Sequence, residues 1–276
     1  MKIIGIDLGG TNIKGGLVHD GKLVRRAEMP TRADVGGEVT LGVLKQVIRK
    51  LWTPDCEAIG LGVASVVDRG RGIAYDFSNI AGWDCVPLKE IIENEFGVPV
   101  AVDNDANCFA LSELHFGQGR RFTEFVGVTL GTGVGAGIIH RSELLSDANC
   151  GSGEFGMIPY RDSIIEDYCA SRFFPREFGC SGAELAEKAS QGDEQALQAF
   201  REYGRNVGQL AQIIMYAVDP QAIIFGGSIA KSFDFFKGAL EESLSSFAYP
   251  RSAARIRLLA SDCAESGIMG AAALCL

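Results

Sequence analysis

The chain has 276 residues, 47% of them apolar and 35 of them glycine, and its 26 Lys and Arg against 35 Asp and Glu leave a net charge of −9. That apolar content excludes a disordered chain, and the length suffices for one large domain or two modest ones. The negative charge, with no basic run, excludes an undirected affinity for nucleic acid or anionic membrane.

In chain order, Lys2 to Ile6 reads as a strand running into Asp7-Leu8-Gly9-Gly10-Thr11. Apolar residues resume at Ile13, Leu17 and Val18, and a third run, Lys22 to Met29, follows the Asp20-Gly21 turn, the pattern of an antiparallel three-stranded start. Because Met1 to Asp7 enters a strand directly, no signal peptide is expected and the cytoplasm is the expected compartment. Val43, Leu44, Val47, Ile48 and Leu51 recur at helical spacing. Ala58 to Val67 is expected as one buried strand, Leu88 to Phe96 as a helix stopped by Gly97, and Val98 to Val102 as a strand.

Asp103-Asn104-Asp105-Ala106-Asn107 follows that strand and opens a helix through Phe109, Leu111 and Leu114. A helix start needs one cap, Asn104 or Asp105, worth ~1 kcal/mol; four polar side chains exceed that need. A carboxylate at this point lies near a partial positive charge that keeps it ionised and able to take a proton from a hydroxyl.

Beyond residue 120 the pattern repeats. Gly127 to Ile139, a strand, a glycine-rich turn and a second strand, echoes Gly5 to Val18 at an offset of 122 residues, so two similar halves are implied. Each turn can present a row of backbone N–H groups to an anion. Neither matches GxxxxGK[ST] nor a GxGxxG that opens a helix, which excludes a P-loop and a dinucleotide fold. Ser181 to Glu184 fits a capping box, and a long helix from about Asp193 stops before Asp219-Pro220. Ala222 to Phe225 is a buried strand ending in Gly226-Gly227-Ser228, a third glycine turn at a strand's C-terminal edge, where α/β sheets hold ligands. A further helix, a strand from Arg255 to Leu259 and a small-residue helix from about Glu265 follow. Twelve of the 35 glycines fall in the three glycine-rich segments. The eight cysteines are scattered with no CxxC, and with only three histidines they read as reduced core thiols without metal-ligand spacing. No apolar stretch approaches the ~20 residues of a membrane helix.

Together these motifs resemble the ROK family (repressors, open reading frames, kinases), a branch of the actin-like ATPase and sugar-kinase superfamily, over nearly the whole chain. The resemblance rests on Gly5 to Thr11 as first phosphate loop, Val102 to Asn107 as catalytic segment and Thr129 to Gly135 as second phosphate loop. It rests also on Gly151 to Gly156 as the sugar-binding AGEfGH stretch, Val218 to Gly227 as the adenosine-side motif, and Asn79 to Trp83 as the NLPGW segment. It implies an α/β fold of two actin-like (ribonuclease H-like) ATPase domains flanking a cleft: a small sugar and phosphate domain of residues 1–110 plus 266–276, and a large nucleotide- and sugar-binding domain of 111–265. It further implies a homodimeric, glucokinase-like enzyme that transfers phosphate from ATP, with Mg2+, to a hexose hydroxyl, usually at C6.

Carried over residue by residue, the resemblance makes Asp105 the general base, with Asn79, Asn104, Glu154 and Glu166 hydrogen-bonding the sugar. Gly9, Gly10, Thr11, Asn12, Thr132 and Gly133 would hold ATP phosphates, Gly226 and Gly227 would lie against adenosine, and Asp7 would orient Mg2+ through water. Most members place histidine after GEFG, where it contacts the sugar 2-position and ligates a structural zinc with a following CxCGxxGC run. Here Met157 stands there, and the chain runs from Gly156 to Glu166 without those cysteines. A zinc-free variant is therefore expected, with weaker discrimination at C2, so that glucose, mannose and N-acetylhexosamines are all accepted. Ala64-Ser65 also replaces the family's PG pair. The rival reading is a catalytically silent, sugar-binding regulator; the family's repressors carry a helix-turn-helix before the first phosphate loop, whereas here the first strand starts at Lys2, and the intact Asp105 favours the kinase.

Overall fold

A computed structural model describes residues 1–77 and 80–276, so the expected sugar contact Asn79 lies outside the described residues. Two compact units result, one made of Met1–Arg120, Leu144–Ser152 and Asp262–Leu276, the other of Arg121–Glu143 and Gly153–Ser261. These bounds differ from those expected. A break at 110 would cut a helix that stays whole in the first unit, which also takes in 144–152 and begins its last segment at Asp262.

The first unit is built on a five-stranded sheet of β1 (Lys2–Leu8), β2 (Asn12–His19), β3 (Lys22–Pro30), β4 (Ala58–Val63) and β5 (Val100–Asn104), in the order β3-β2-β1-β4-β5. β1, β2 and β3 are antiparallel as expected; β1, β4 and β5 run parallel. Asp20 and Gly21 both adopt positive φ (49° and 73°), the combination that lets a two-residue turn follow the strand twist. Helix α1 (Gly37–Leu51) buries Val43, Leu44, Val47, Ile48 and Leu51 in a core with Ile4, Ile6 and Ile13. Helix α2 (Leu88–Phe96) ends at left-handed Gly97, whose N–H reaches Glu93 O, and α3 (Asp105–His115) follows β5 without a loop.

Two strands depart from the expectation. The run Ala58 to Val67 breaks at Ala64-Ser65, where Ser65 N donates to Val63 O (2.9 Å); Val66–Asp68 then pairs in a separate ribbon with Ile73–Tyr75 and Cys85–Val86. Hydropathy is continuous through the break, so periodicity cannot show it. β5 begins after Pro99, which has no N–H to give a ladder, and runs on through Asp103 and Asn104, delivering both to the sheet's C-terminal edge.

The C-terminal helix (Ser266–Ala273) lies on this sheet with backbone against backbone. A Cβ built at Gly5 would stand 2.1 Å from Ile268 O, one at Gly60 1.7 Å from Ala271 O, and one at Gly270 1.8 Å from Cys108 O. Glycine at these sites serves close approach of one backbone to another.

In the second unit β6 (Phe125–Leu130), β7 (Val134–His140), β8 (Glu143–Leu144), β9 (Ala222–Gly226) and β10 (Arg257–Ala260) take the order β8-β7-β6-β9-β10, the same topology as the first sheet. The sequence repeat is therefore a repeat of fold: Gly5 pairs with Gly16 across β1 and β2, and Gly127 with Gly137 across β6 and β7. The helices α4 (Ile165–Cys169), α5 (Phe173–Phe178), α6 (Gly182–Ser190), α7 (Glu194–Val218) and α8 (Phe233–Ser243) complete the unit. The capping box at Ser181 and Glu184 forms as expected, and α7 starts at Asp193, whose side chain accepts from Ala196 N, and stops at left-handed Asp219 before Pro220. Among the described residues no helix is long and apolar enough to cross a membrane.

Candidate active site

In the first unit the candidate groups gather where β1 and β5 end. Asp7, at the end of β1, pairs in register with Lys14 on β2. Burial raises its carboxyl above the usual aspartate range, Lys14 opposes the rise and Glu265 adds to it. The first turn of the C-terminal helix abuts this carboxylate, since a Cβ at Gly267 would lie 2.7 Å from Asp7 Oδ2. The first glycine loop is closed by Gly9 N donating to Asn12 O (3.1 Å) and by Thr31, whose N–H reaches Thr11 O (2.9 Å) and whose hydroxyl reaches Gly9 O (2.6 Å). Thr31 is fully buried, while Gly10 and Thr11 face solvent. Sequence reasoning missed Thr31, whose only local mark is its place directly after a strand.

The segment Val102 to Asn107 is held tightly. Asn104 caps α3: its Oδ1 accepts from Ala106 N (2.8 Å) and its Nδ2 donates to Ser65 O (3.1 Å). That leaves one N–H and one oxygen lone pair of the carboxamide for a ligand. Asp105 occupies the first helical position, where the helix dipole favours negative charge. Asp103 is 2% exposed, and its Oδ1 accepts from Asn104 N (2.7 Å) and Asn107 Nδ2 (2.8 Å). Burial raises its carboxyl; the Asn107 hydrogen bond and the Arg69 charge oppose the rise.

In the second unit the second glycine loop is pinned by Gly131 N to Gly133 O (3.1 Å) and Ser171 N to Gly131 O (2.8 Å), with Thr132 exposed. Glu166 belongs to this loop's support: its Oε2 accepts from Val134 N (2.9 Å) and would sit 2.7 Å from a Cβ at Gly133, while its Oε1 pairs with Arg172. Glu154 stands between Gly153 and Gly156, both glycine by necessity, because a Cβ would meet Ala136 O at 2.2 Å and Val134 O at 2.7 Å. The motif is thus clamped onto β7 with Glu154 projecting, solvent-exposed. The atoms crowding its carboxyl, and secondly the Glu166 charge, raise its pKa. Met157 is 53% exposed.

Gly227, at φ +86°, would bring a Cβ to 2.4 Å from Leu130 O, so the third glycine turn rests on the base of the second loop. Beside it opens a cavity of about 380 Å3 whose wall includes Ser171, Arg172, Phe174, Pro175, Ser228 and Ile229, within the ~300–1,000 Å3 of small-ligand pockets. Among the described residues no group of three or more His, Cys, Asp or Glu is arranged to hold a metal ion.

The family model described as ROK family matches residues 3–276. A glucokinase of Thermotoga maritima is 29% identical over 310 residues, covering 99% of this chain and 97% of that protein. A beta-glucoside kinase of Klebsiella pneumoniae is 27% identical, covering 84% of this chain and 83% of its own. The crystal structure of a ROK family glucokinase from Streptomyces griseus in complex with glucose and AMPPNP matches with a TM-score of 0.86 at 28% identity, over 99% of both chains. The duplicated sheets, the three glycine turns and the matched length lead to one assignment: this chain belongs to the ROK family and has the actin-like ATPase fold of the family's sugar kinases.

Proposed function

We propose that this sugar kinase transfers the γ-phosphate of ATP to the C6 hydroxyl of glucose or a related hexose or N-acetylhexosamine, with Asp105 as general base. The observation that carries the reading is the position of Asp105 at the first residue of α3, beside an Asn104 whose side chain is fixed by Ala106 N and Ser65 O. Asp105 takes the proton of the attacking hydroxyl, a contribution of about 10²–10⁴ in rate. Asn104 and Glu154 orient the sugar by hydrogen bonds. Glu166 has both oxygens engaged by Val134 N and Arg172, so a sugar contact from it uses its remaining lone pairs.

Phosphoryl transfer asks the protein mainly for positioning and for neutralising charge. The exposed loop residues Gly10, Thr11 and Thr132, with Gly9, Asn12 and Gly133, suit a polyphosphate. The cavity beside Gly226 and Gly227, with Phe174, Pro175 and Ile229 in its wall, suits an adenosine. Asp7 suits Mg2+, which is commonly held by one or two carboxylates together with substrate phosphates; bound there, the ion would supply charge neutralisation on the phosphates. The small domain would carry Asn104, Asp105 and the first loop, the large domain the second loop, the nucleotide and the sugar contacts Glu154 and Glu166.

An ADP-release assay across a panel of hexoses tests this: turnover with at least one hexose is expected, and none with any would overturn it. Because methionine cannot make the histidine's hydrogen bond to the 2-hydroxyl and its thioether is only a weak acceptor, the panel should show kcat/KM for glucose exceeding that for 2-deoxyglucose by well under ~10⁴, the ratio typical of a site built to bind a hydroxyl. A larger ratio refutes the reading of Met157.

Glu154 gives a pH dependence. Ionised, it accepts a stronger, charge-assisted hydrogen bond from a sugar hydroxyl than it does when protonated, and its pKa is raised by the atoms crowding its carboxyl and secondly by the Glu166 charge. Acidification therefore protonates it at a higher pH than an ordinary glutamate, so KM for the sugar should rise as pH falls through that raised value. In Glu154→Gln the KM should be high throughout and lose this acid limb. An acid limb at the ordinary glutamate value, or one that persists in the variant, removes Glu154 from the sugar site.

A further inference from the structure

Asp103 has a second oxygen. Oδ1 serves the start of α3, and Oδ2 lies 2.8 Å from Arg69 Nε, an ion pair whose aspartate is 3% and whose arginine is 34% exposed. The pair is close but not aligned: both atoms are buried, and neither has a hydrogen-bond partner of proper direction. Arg69 follows the ribbon strand Val66–Asp68, and its Nη2 donates to Leu145 O (3.2 Å). Leu145 opens the segment that leads into the Gly151 to Gly156 motif. That segment is folded on Asp147, whose Oδ2 accepts from Ser152 N (3.3 Å) and Ser152 Oγ (3.0 Å). One guanidinium therefore joins the ribbon, the carboxylate behind the catalytic segment, and the strap before Glu154.

Resting on the kinase reading above, we propose that Arg69 is a positioning residue for sugar phosphorylation. Through the Asp103 carboxylate it holds Asn104 and Asp105 at the head of α3, and through Leu145 O it ties the 144–152 strap to the same carboxylate. Charge-assisted hydrogen bonds are stronger than neutral ones, so the ionised Asp103 grips Asn104 N and Asn107 Nδ2 more firmly than a protonated one. Arg69 supplies the counter-charge. Without it a carboxylate would be left buried and uncompensated.

The test uses the full chain as wild type, Arg69→Lys, Arg69→Met, Asp103→Asn and the Arg69→Met/Asp103→Asn double variant. Arg69→Met should lower kcat/KM for the preferred hexose about 10–100-fold, as misplacement of reacting groups does, with KM for ATP unchanged. Arg69→Lys should recover part of the loss, and the double variant should lose no more than the worse single variant, since the two side chains act as one unit. Hydrogen exchange should quicken at Asn104 N and across 144–152 in Arg69→Met, and not in α7. Unchanged kinetics in Arg69→Met, or losses that multiply in the double variant, overturn the proposal. If Arg69→Met does not fold, Arg69→Lys and Asp103→Asn decide by the same kinetic and exchange criteria. If wild type phosphorylates no hexose, the kinase reading fails by itself, and exchange alone judges Arg69: unchanged rates at Asn104 and in the strap overturn its role.

Discussion

Replacing Asp105 by asparagine is expected to lower kcat for hexose phosphorylation by about 10²–10⁴-fold while leaving ATP affinity unchanged. The substitution keeps the shape of the side chain and removes its basicity. It should also leave the fold intact, because the cap of α3 is Asn104 and not Asp105: Asn104 accepts from Ala106 N whether or not its neighbour is charged. Loss of one negative charge at a helix N-terminus costs only about 0.3–1 kcal/mol. Coupled ADP release measures the first quantity, calorimetric titration with a non-hydrolysable ATP analogue the second, and thermal unfolding the third. Turnover within about tenfold of wild type would place the general base elsewhere, since such a base contributes about 10²–10⁴.

The largest effect on stability is expected at Gly60. A Cβ there would lie 1.7 Å from Ala271 O, and the obstacle is backbone in the C-terminal helix rather than a side chain that can swing aside. Gly60→Ala can be accommodated only if the helix lifts off β4, which would uncover Met269 and Ala272 where they pack against Ile3 and Val18. Overpacking of a core usually costs about 1–3 kcal/mol, and more where nothing can relax, so a loss of about 3 kcal/mol or more is expected. Urea unfolding of the variant checks it. Gly238→Ala is the control, for nothing lies within 4 Å of a Cβ at that site in α8, and alanine there should gain up to about 1 kcal/mol from helix propensity. If Gly60→Ala is as stable as wild type, the helix is not seated as closely as described.

Signals carried by neighbouring residues are legible in the sequence. Gly97 ends α2, Ser181 and Glu184 close their reciprocal cap, and Asp193 and Asp219 bound α7, each because a local hydrogen bond or a left-handed residue decides the matter. The 122-residue repeat likewise became two sheets of one topology. What stayed hidden depends on partners far along the chain. Nothing near Thr31 says that it fastens Gly9 and Thr11. Nothing near Glu166 says that its carboxylate will brace Val134 and Arg172. Glycine was the most ambiguous residue: grouped in turns it resembled phosphate loops, yet Gly5 and Gly60 are bare because another backbone passes over them. The run Ala58 to Val67 reads as one strand because hydropathy does not record the break at Ala64-Ser65.

The helix that covers β1 and β4 comes from the opposite end of the sequence from those strands, which bears on how the chain assembles. The second unit is nearly continuous, Arg121–Glu143 and Gly153–Ser261, and most of its packing is available as soon as those residues exist. The first unit is not. Its sheet can form from residues 1–104, but the face carrying Ile3, Gly5 and Gly60 stays wet until Asp262–Leu276 returns to it. Closing so long a loop costs entropy before any contact rewards it, and contacts distant in sequence slow folding. Docking of that helix is thus expected to be the late step, with an exposed apolar strand surface as the species at risk of aggregation until it happens.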